Sequence, residues 1–234
     1  MESPEYLTRD EFVEFIQSQM RLDDYIVAAM DVAEEIHGNI KREDNRSSFL
    51  ETHTWPVARD IVKHYRAVNR NITSFLVEGG LLHDILEDNE KLLNLYRTKD
   101  YDFDAYLRYR FGTRIYIICT DLKIKPLENF SGKNNEERQI QRFHDYCNIL
   151  SSAAYDVKTI KLADRVNNMK FIGSLNPDEQ KSVFDKIRRY LCEAEDFYFA
   201  YALLDPAMED FYKGLRTAYD QLKTINVGKV SKRK

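Results

Sequence analysis

The chain has 234 residues, of which 43% are hydrophobic and 32% charged, and it carries a net charge of −4. That balance excludes a whole-protein basic field for nucleic acid, while leaving room for a local cationic pocket. Only 8 Gly and 5 Pro occur, and so few turn formers predict long helices rather than many short strands. A chain of this length makes one large helical domain, burying roughly 70% of its unfolded surface.

The 15 Tyr and 13 Phe are read as core and groove lining. Cys119, Cys147 and Cys192 have no paired spacing. This argues against a disulfide framework or zinc knuckle, fits a reducing compartment, and makes each a small buried hydrophobe. No apolar run approaches the roughly 20 residues that span a membrane. Met1-Glu2-Ser3-Pro4 is not a signal peptide, so a cytoplasmic protein with neither membrane nor nucleic-acid partner is expected.

Apolar positions at helical spacing begin with Phe12, Phe15, Ile16 and Met20 and continue through Ile26, Ala29, Met30 and Ala33. They predict helix up to about Ile36. His37-Gly38-Asn39 is the stop, and a polar loop follows from Lys41 to Ser48. A second helix is expected from about Thr54 to Ala67, with Pro56 in its first turn. A third opens at Asn71-Ile72-Thr73 and carries Phe75, Leu76, Leu81, Leu82, Ile85 and Leu86.

Further helices are expected over Asp104–Phe111, Thr113–Thr120, Glu136–Leu150, Tyr155–Ile172, Pro177–Phe199 and Pro206–Leu222. Lys123–Asn135, with Pro126 and Gly132, reads as a long loop or lid. The expected domain covers residues 1–225, and Asn226–Lys234 forms a small, basic, disordered tail.

The informative segment is Gly79-Gly80-Leu81-Leu82-His83-Asp84-Ile85-Leu86-Glu87-Asp88. Continued as helix, it would put His83 and Glu87 on one face and Asp84 and Asp88 on a neighbouring one, bordering one cavity. Three carboxylates so close to apolar residues call for a compensating cation; the plain alternative is a polar helix end meeting water. His53 stands at the start of the preceding helix. Asp164 is flanked by Ile160, Leu162, Ala163, Val166 and Met169, a setting in which a carboxylate needs a partner.

The order His53, His83-Asp84, Asp164 resembles the H…HD…D signature of the HD-domain phosphohydrolases. More narrowly, the chain resembles the hydrolase domain of the Rel/Spo alarmone enzymes and the stand-alone small alarmone hydrolases, over roughly Val27 to Phe199. Four stretches carry the likeness: His53-x-x-Pro56-Val57-Ala58, Leu81 to Asp88, Phe111-Gly112, and Lys161-Leu162-Ala163-Asp164-Arg165-x-x-Asn168-Met169.

The resemblance implies an all-α fold, a single HD-type domain of roughly ten helices around a buried metal site. His53, His83, Asp84 and Asp164 would hold one divalent cation. The family favours manganese, with Fe²⁺ or Zn²⁺ as competitors for such a mixed nitrogen and oxygen set. Glu87 and Asp88 would orient or deprotonate the attacking water. Asn168 would face the pocket, and Lys41, Arg42, Arg46, Lys161 and Arg165 would meet a polyanionic nucleotide.

The implied reaction removes the 3′-diphosphate of guanosine tetra- or pentaphosphate, releasing pyrophosphate and GDP or GTP. With no synthetase-like region after the helical domain, such an enzyme is expected only to degrade.

The chain departs from the family where Thr54-Trp55 separate His53 from Pro56, and where Lys41-Arg42 and the added Glu43–Ser48 replace an Arg-Lys pair. Trp55 is read as packing beneath the His53 helix rather than stacking on a base. His37 resembles a histidine that precedes the basic loop in relatives and equally suits a helix-end cap, and His64 and His144 suit packing or surface roles. A phosphohydrolase for another nucleotide or phosphate monoester has the same ligand set. A nucleotide-sensing module without catalysis and a purely structural helical protein are the remaining readings. The oligomeric state is open, a homodimer included.

Overall fold

The computed structural model describes residues 5–87 and 102–230, with side chains as far as 225. Asp88 lies outside the described residues. Eleven α-helices stand among those residues: α1 (Arg9–Gln19), α2 (Asp24–His37), α3 (Trp55–Ala67), α4 (Ser74–Leu82), α5 (Phe103–Leu122), α6 (Asn135–Ser152), α7 (Tyr155–Ser174), α8 (Pro177–Ser182), α9 (Phe184–Glu193), α10 (Phe199–Leu203) and α11 (Glu209–Val230). The only strand-like pairing among the described residues is one isolated bridge, Lys41 to Ser48. The all-α expectation and the number of helices are borne out.

Local chemistry sets the helix starts. Thr8 and Glu11 form a capping box at α1, and Asp102 and Asn134 accept backbone N–H bonds at the starts of α5 and α6. These side chains satisfy donors that the first turn leaves without partners. Asp23 does the same for Tyr25 and Ile26. The continuous first helix expected up to Ile36 is therefore two, α1 and α2.

Gly112, at φ 84°, breaks α5 into two arms, where the sequence placed the boundary between its two shorter helices; glycine adopts this conformation without steric cost. The single helix expected over Pro177–Phe199 is divided at Val183, and again by a π-turn over Ala194–Tyr198. Helix α11 runs to Val230, past the start of the expected tail at Asn226.

The core centres on α7, which is buried on most sides through Val157, Ile160, Leu162, Val166, Met169 and Ile172. It packs against α11, α3 and α5. Complete burial of each large side chain stabilises by about 1.5–3 kcal/mol. Trp55 is 1% exposed and stacks on Phe12 at 5.5 Å between ring centroids, so it packs and does not face a ligand.

Helices α3 and α4 approach closely at Gly80. A Cβ there would lie 2.8 Å from the Ile61 Cδ1 and 3.2 Å from the Ala58 Cα. Only a residue without a side chain brings the His53 and His83 segments this near. Cys119 is buried as expected, but Cys147 is half-buried and Cys192 exposed. The face of α9 that carries Cys192 points to solvent, so helical position outweighs the usual burial of free cysteine.

Candidate metal centre and cavity

Four segments distant in sequence converge on one point. His53 sits in a π-turn, Leu50–Thr54, that precedes α3. The turn is held by the Thr52 hydroxyl, which donates to the Ser48 carbonyl at 2.6 Å. His83 is the first residue beyond α4, Asp84 follows it, and Asp164 lies mid-way along the buried α7. His53, His83 and Asp164 are buried and Asp84 is half-buried.

The segment from His83 to Asp88 was expected to continue the helix. Instead α4 ends at Leu82, and residues 83–87 form tight turns, with the Ile85 N–H bonded to the Leu82 carbonyl (3.1 Å) and the Glu87 N–H to that of Asp84 (2.9 Å). Three-residue spacing replaces four-residue spacing, so the expected sharing of faces by His83 and Glu87 does not apply. Gly79 and Gly80 weaken the helix just before this point, which lets the packed site decide the path of the chain.

His53 Nε2 is 3.2 Å from His83 Nε2, and Asp84 Oδ2 is 3.1 Å from both. Asp164 Oδ1 is 3.6 Å from His53 Nε2. One ligand atom from each of the four residues lies within 4.8 Å of all the others. Atoms that sit about 2.0–2.2 Å from a shared divalent ion stand roughly 3.0–3.5 Å apart at neighbouring positions. The shorter contacts fit that spacing.

The far ring atoms agree with it. His83 Nδ1 bonds the Gly80 carbonyl at 2.8 Å and His53 Nδ1 bonds Asn167 Oδ1 at 2.7 Å. Both acceptors draw the ring proton to Nδ1 and turn the Nε2 lone pairs towards each other and the carboxylates. A cation at their meeting point satisfies all four groups, so these residues fit a divalent metal ion.

The two carboxylates favour positive charge between the rings, carried in the metal-free cluster by a proton on His83. Burial disfavours the charged form of His83, but Asp84 and Asp164 outweigh it and push the ring up to about 9. Burial prevails at His53 and lowers it. Burial would raise the Asp84 carboxyl, yet the two histidines hold it well below the ordinary range. Asp164 is likewise lowered, with Lys161 opposing its burial.

The cluster opens into a cavity of about 970 Å³ between α6, α7, α9 and the loop that follows α2. Basic side chains outnumber acidic ones on its wall, a local cationic field in a protein of net charge −4. The expected Lys41, Arg42, Lys161, Arg165 and Asn168 all line it; Arg46 does not, and pairs with Glu179 at 2.6 Å.

Several of these residues are already engaged. Lys161 Nζ donates to Asp164 Oδ2 at 2.7 Å. Arg165 pairs with Glu193 at 2.9 Å and reaches the Tyr198 hydroxyl at 3.2 Å. Arg42 donates to Asn168 Oδ1 at 2.8 Å and lies over the Phe171 ring at 4.2 Å. Asn168 in turn donates to Asp164.

Glu87 lines the cavity and accepts the Ile124 N–H at 2.6 Å, tying the 123–134 loop to the site. Although Glu87 as a residue is exposed, the protein around its carboxyl, and then the charge of Asp84, push that group up to about 7. His37 is buried at the end of α2, with its ring 5.0 Å from that of Phe49. His64 is buried between Asp210 and the Tyr155 hydroxyl, 2.9 and 2.8 Å away, and packs there as expected; His144 is exposed.

Sequence reasoning did not single out Glu43, Arg142, Lys186 and Arg189 on the cavity wall, or Asn167 behind His53. The i, i+3, i+4 spacing of Lys186, Arg189 and Tyr190 was a readable signal for one face of α9.

An all-α domain that gathers two histidines and two aspartates in this chain order around a cation-sized gap has the arrangement of an HD-type domain. No family model matches the chain. Among curated proteins, it is 29% identical over 166 residues to a probable guanosine-3′,5′-bis(diphosphate) 3′-pyrophosphohydrolase of Mycoplasma pneumoniae, an alignment covering 68% of this chain and 19% of that protein.

It is also 25% identical over 118 residues to the guanosine-3′,5′-bis(diphosphate) 3′-pyrophosphohydrolase of Haemophilus influenzae, covering 50% of this chain and 15% of the relative. The likeness to the Vibrio cholerae protein of that name is 28% over 109 residues, 46% of this chain and 13% of the relative. The match spans less than one fifth of each of these proteins. The chain thus resembles the HD-type alarmone hydrolases.

Proposed function

We propose that the chain is a metal-dependent phosphohydrolase that removes the 3′-diphosphate of guanosine tetra- or pentaphosphate. The observation that carries this reading is the meeting of His53, His83, Asp84 and Asp164 at one cation-sized point on the wall of a large cationic cavity. The three curated relatives, named for that activity, support the same substrate.

In this reading His53, His83, Asp84 and Asp164 hold one divalent cation, manganese by preference. The cation supplies charge for the phosphate oxygens and acidifies a water when bound. Glu87, poised near neutrality, accepts the proton of the attacking water as general base. Asp88 is proposed to share that role.

The water oxygen bonds to the phosphorus next to the ribose, the bond from that phosphorus to the 3′ oxygen breaks, and the 3′ oxygen takes up a proton. Pyrophosphate leaves beside GDP or GTP. Lys41, Arg42, Lys161, Arg165 and Asn168 are proposed to bind and orient the substrate: Lys161 steadies Asp164, and Arg42 and Asn168 act as one hydrogen-bonded unit. The domain reading of residues 1–225 and a cytoplasmic setting belong to the same proposal; among the described residues, no helix is long and apolar enough to cross a membrane.

Incubating the purified protein with Mn²⁺ and guanosine tetraphosphate, then separating the nucleotides by ion-exchange chromatography, tests the reading. GDP and pyrophosphate are the expected products. GMP with inorganic phosphate, or turnover of other nucleotides with no action on the alarmone, would overturn it.

A further inference from the structure

The two histidines of the cluster are anchored differently. His83 leans on a backbone carbonyl, that of Gly80. His53 leans on a side chain: Asn167 Oδ1 lies 2.7 Å from its Nδ1. The orientation of that amide is itself fixed, because Asn167 Nδ2 donates to the Thr52 carbonyl at 3.1 Å. With the NH₂ group directed at a carbonyl, the atom left for His53 is the acceptor oxygen, so the His53 proton lies on Nδ1 and Nε2 keeps its lone pair.

Asn167 does not line the large cavity. It lies on the wall of a second, separate one of about 360 Å³, beside Thr52, Lys170, Phe171 and Gln221. It therefore meets the site from behind, through His53 at 2.7 Å and, more weakly, through Arg42 Nη1, which donates to the same oxygen at 3.5 Å.

We propose that Asn167 is a positioning residue that selects the tautomer and ring orientation of His53 and so sets the affinity of the cluster for its metal ion. This deepens the metal-site reading above and rests on it. Thr52 and Asn167 bracket His53 from two elements, the π-turn and α7, so one amide links the ring to both. An outer hydrogen bond of this kind is worth about 10–100-fold in metal affinity. Asp at position 167 keeps an acceptor for Nδ1–H, whereas Leu keeps the volume and removes it.

The test measures Mn²⁺ affinity by calorimetry in wild type, Asn167→Leu and Asn167→Asp. Unfolding temperatures of the metal-free proteins are recorded in parallel, together with ¹⁵N shifts of the His53 ring. Asn167→Leu is expected to weaken Mn²⁺ binding by about 10–100-fold and to move ring proton from Nδ1 to Nε2 in the metal-free protein. Asn167→Asp is expected to restore most of the affinity and the Nδ1–H signature.

Unchanged affinity and ring shifts in Asn167→Leu would overturn the proposal, as would equal loss in both variants tracking only a fall in unfolding temperature. Failure of wild type to bind Mn²⁺ would instead overturn the metal site, and the ring shifts would still report whether Asn167 sets the tautomer.

Discussion

His53 and His83 face one another Nε2 to Nε2 at 3.2 Å, from segments 30 residues apart, with Asp84 Oδ2 at 3.1 Å from each. Two imidazole nitrogens and a carboxylate at this separation need positive charge among them, which a ring proton on His83 or a bound cation supplies. The expected result is about one divalent ion per chain, measured by elemental analysis after loading with Mn²⁺. Asp84→Ala and His83→Ala should each lose the ion and the activity, since each removes one of the four proposed ligands. Full turnover in Asp84→Ala would refute the assignment.

Substitution of Glu87, the proposed base, tests catalysis apart from metal binding. Glu87→Gln keeps shape and leaves the four ligands in place, so metal content should stay near wild type while turnover falls roughly 10²-fold or more. A base must be ionised to accept a proton. Turnover of the wild type should therefore rise with pH through a midpoint at or below about 7, the position of this carboxyl without a bound cation; nearby positive charge only lowers it. A flat profile with unchanged turnover in the variant would leave Glu87 without the role.

Glu43 carries the third prediction. Its carboxylate pairs with Arg42 Nε at 3.2 Å and with Lys186 Nζ on the cavity wall. Burial would raise this group, but the two cations hold it at about 2. A phosphate entering the cavity competes with Glu43 for both cations. Glu43→Gln should tighten binding of inorganic pyrophosphate by several-fold to about tenfold, measured by calorimetry without metal. The depressed carboxyl also contributes stability that is present above pH 4.5 and lost as pH falls towards 2. Glu43→Gln should flatten that part of the stability profile. Weaker pyrophosphate binding in the variant would show that Glu43 organises the two cations instead of competing for them.

Gly80 offers a test of packing. The Cβ of Gly80→Ala would stand 2.8 Å from the Ile61 side chain and 3.2 Å from the Ala58 backbone. Ile61 can shift, but the backbone of α3 gives way only by moving the His53 segment. Denaturant melts should show a loss of about 1–3 kcal/mol, with weakened Mn²⁺ affinity. Wild-type stability and affinity would mean that α3 and α4 separate freely.

Much of this protein is legible in its sequence. Helical periodicity and the scarcity of Gly and Pro define an all-α chain because they report local backbone preference and one buried face per helix. The types and order of His53, His83, Asp84 and Asp164 point to a cation because few other arrangements reconcile carboxylates with apolar neighbours. Gly112 marks a break in α5 because only glycine takes its φ at no cost.

Other features arise only from tertiary packing. The turn from His83 to Glu87 overrides a helical pattern because the buried cluster fixes those side chains. Asp23 ends the apparent continuity of the first two helices through a capping bond that apolar spacing does not encode. Arg165 faces Glu193, and Asn167 meets His53 across 114 positions. Contacts of that span depend on how α7 packs against α9 and against the turn before α3. Sequence periodicity shows which face of a helix is buried, but it does not show which partner that face meets.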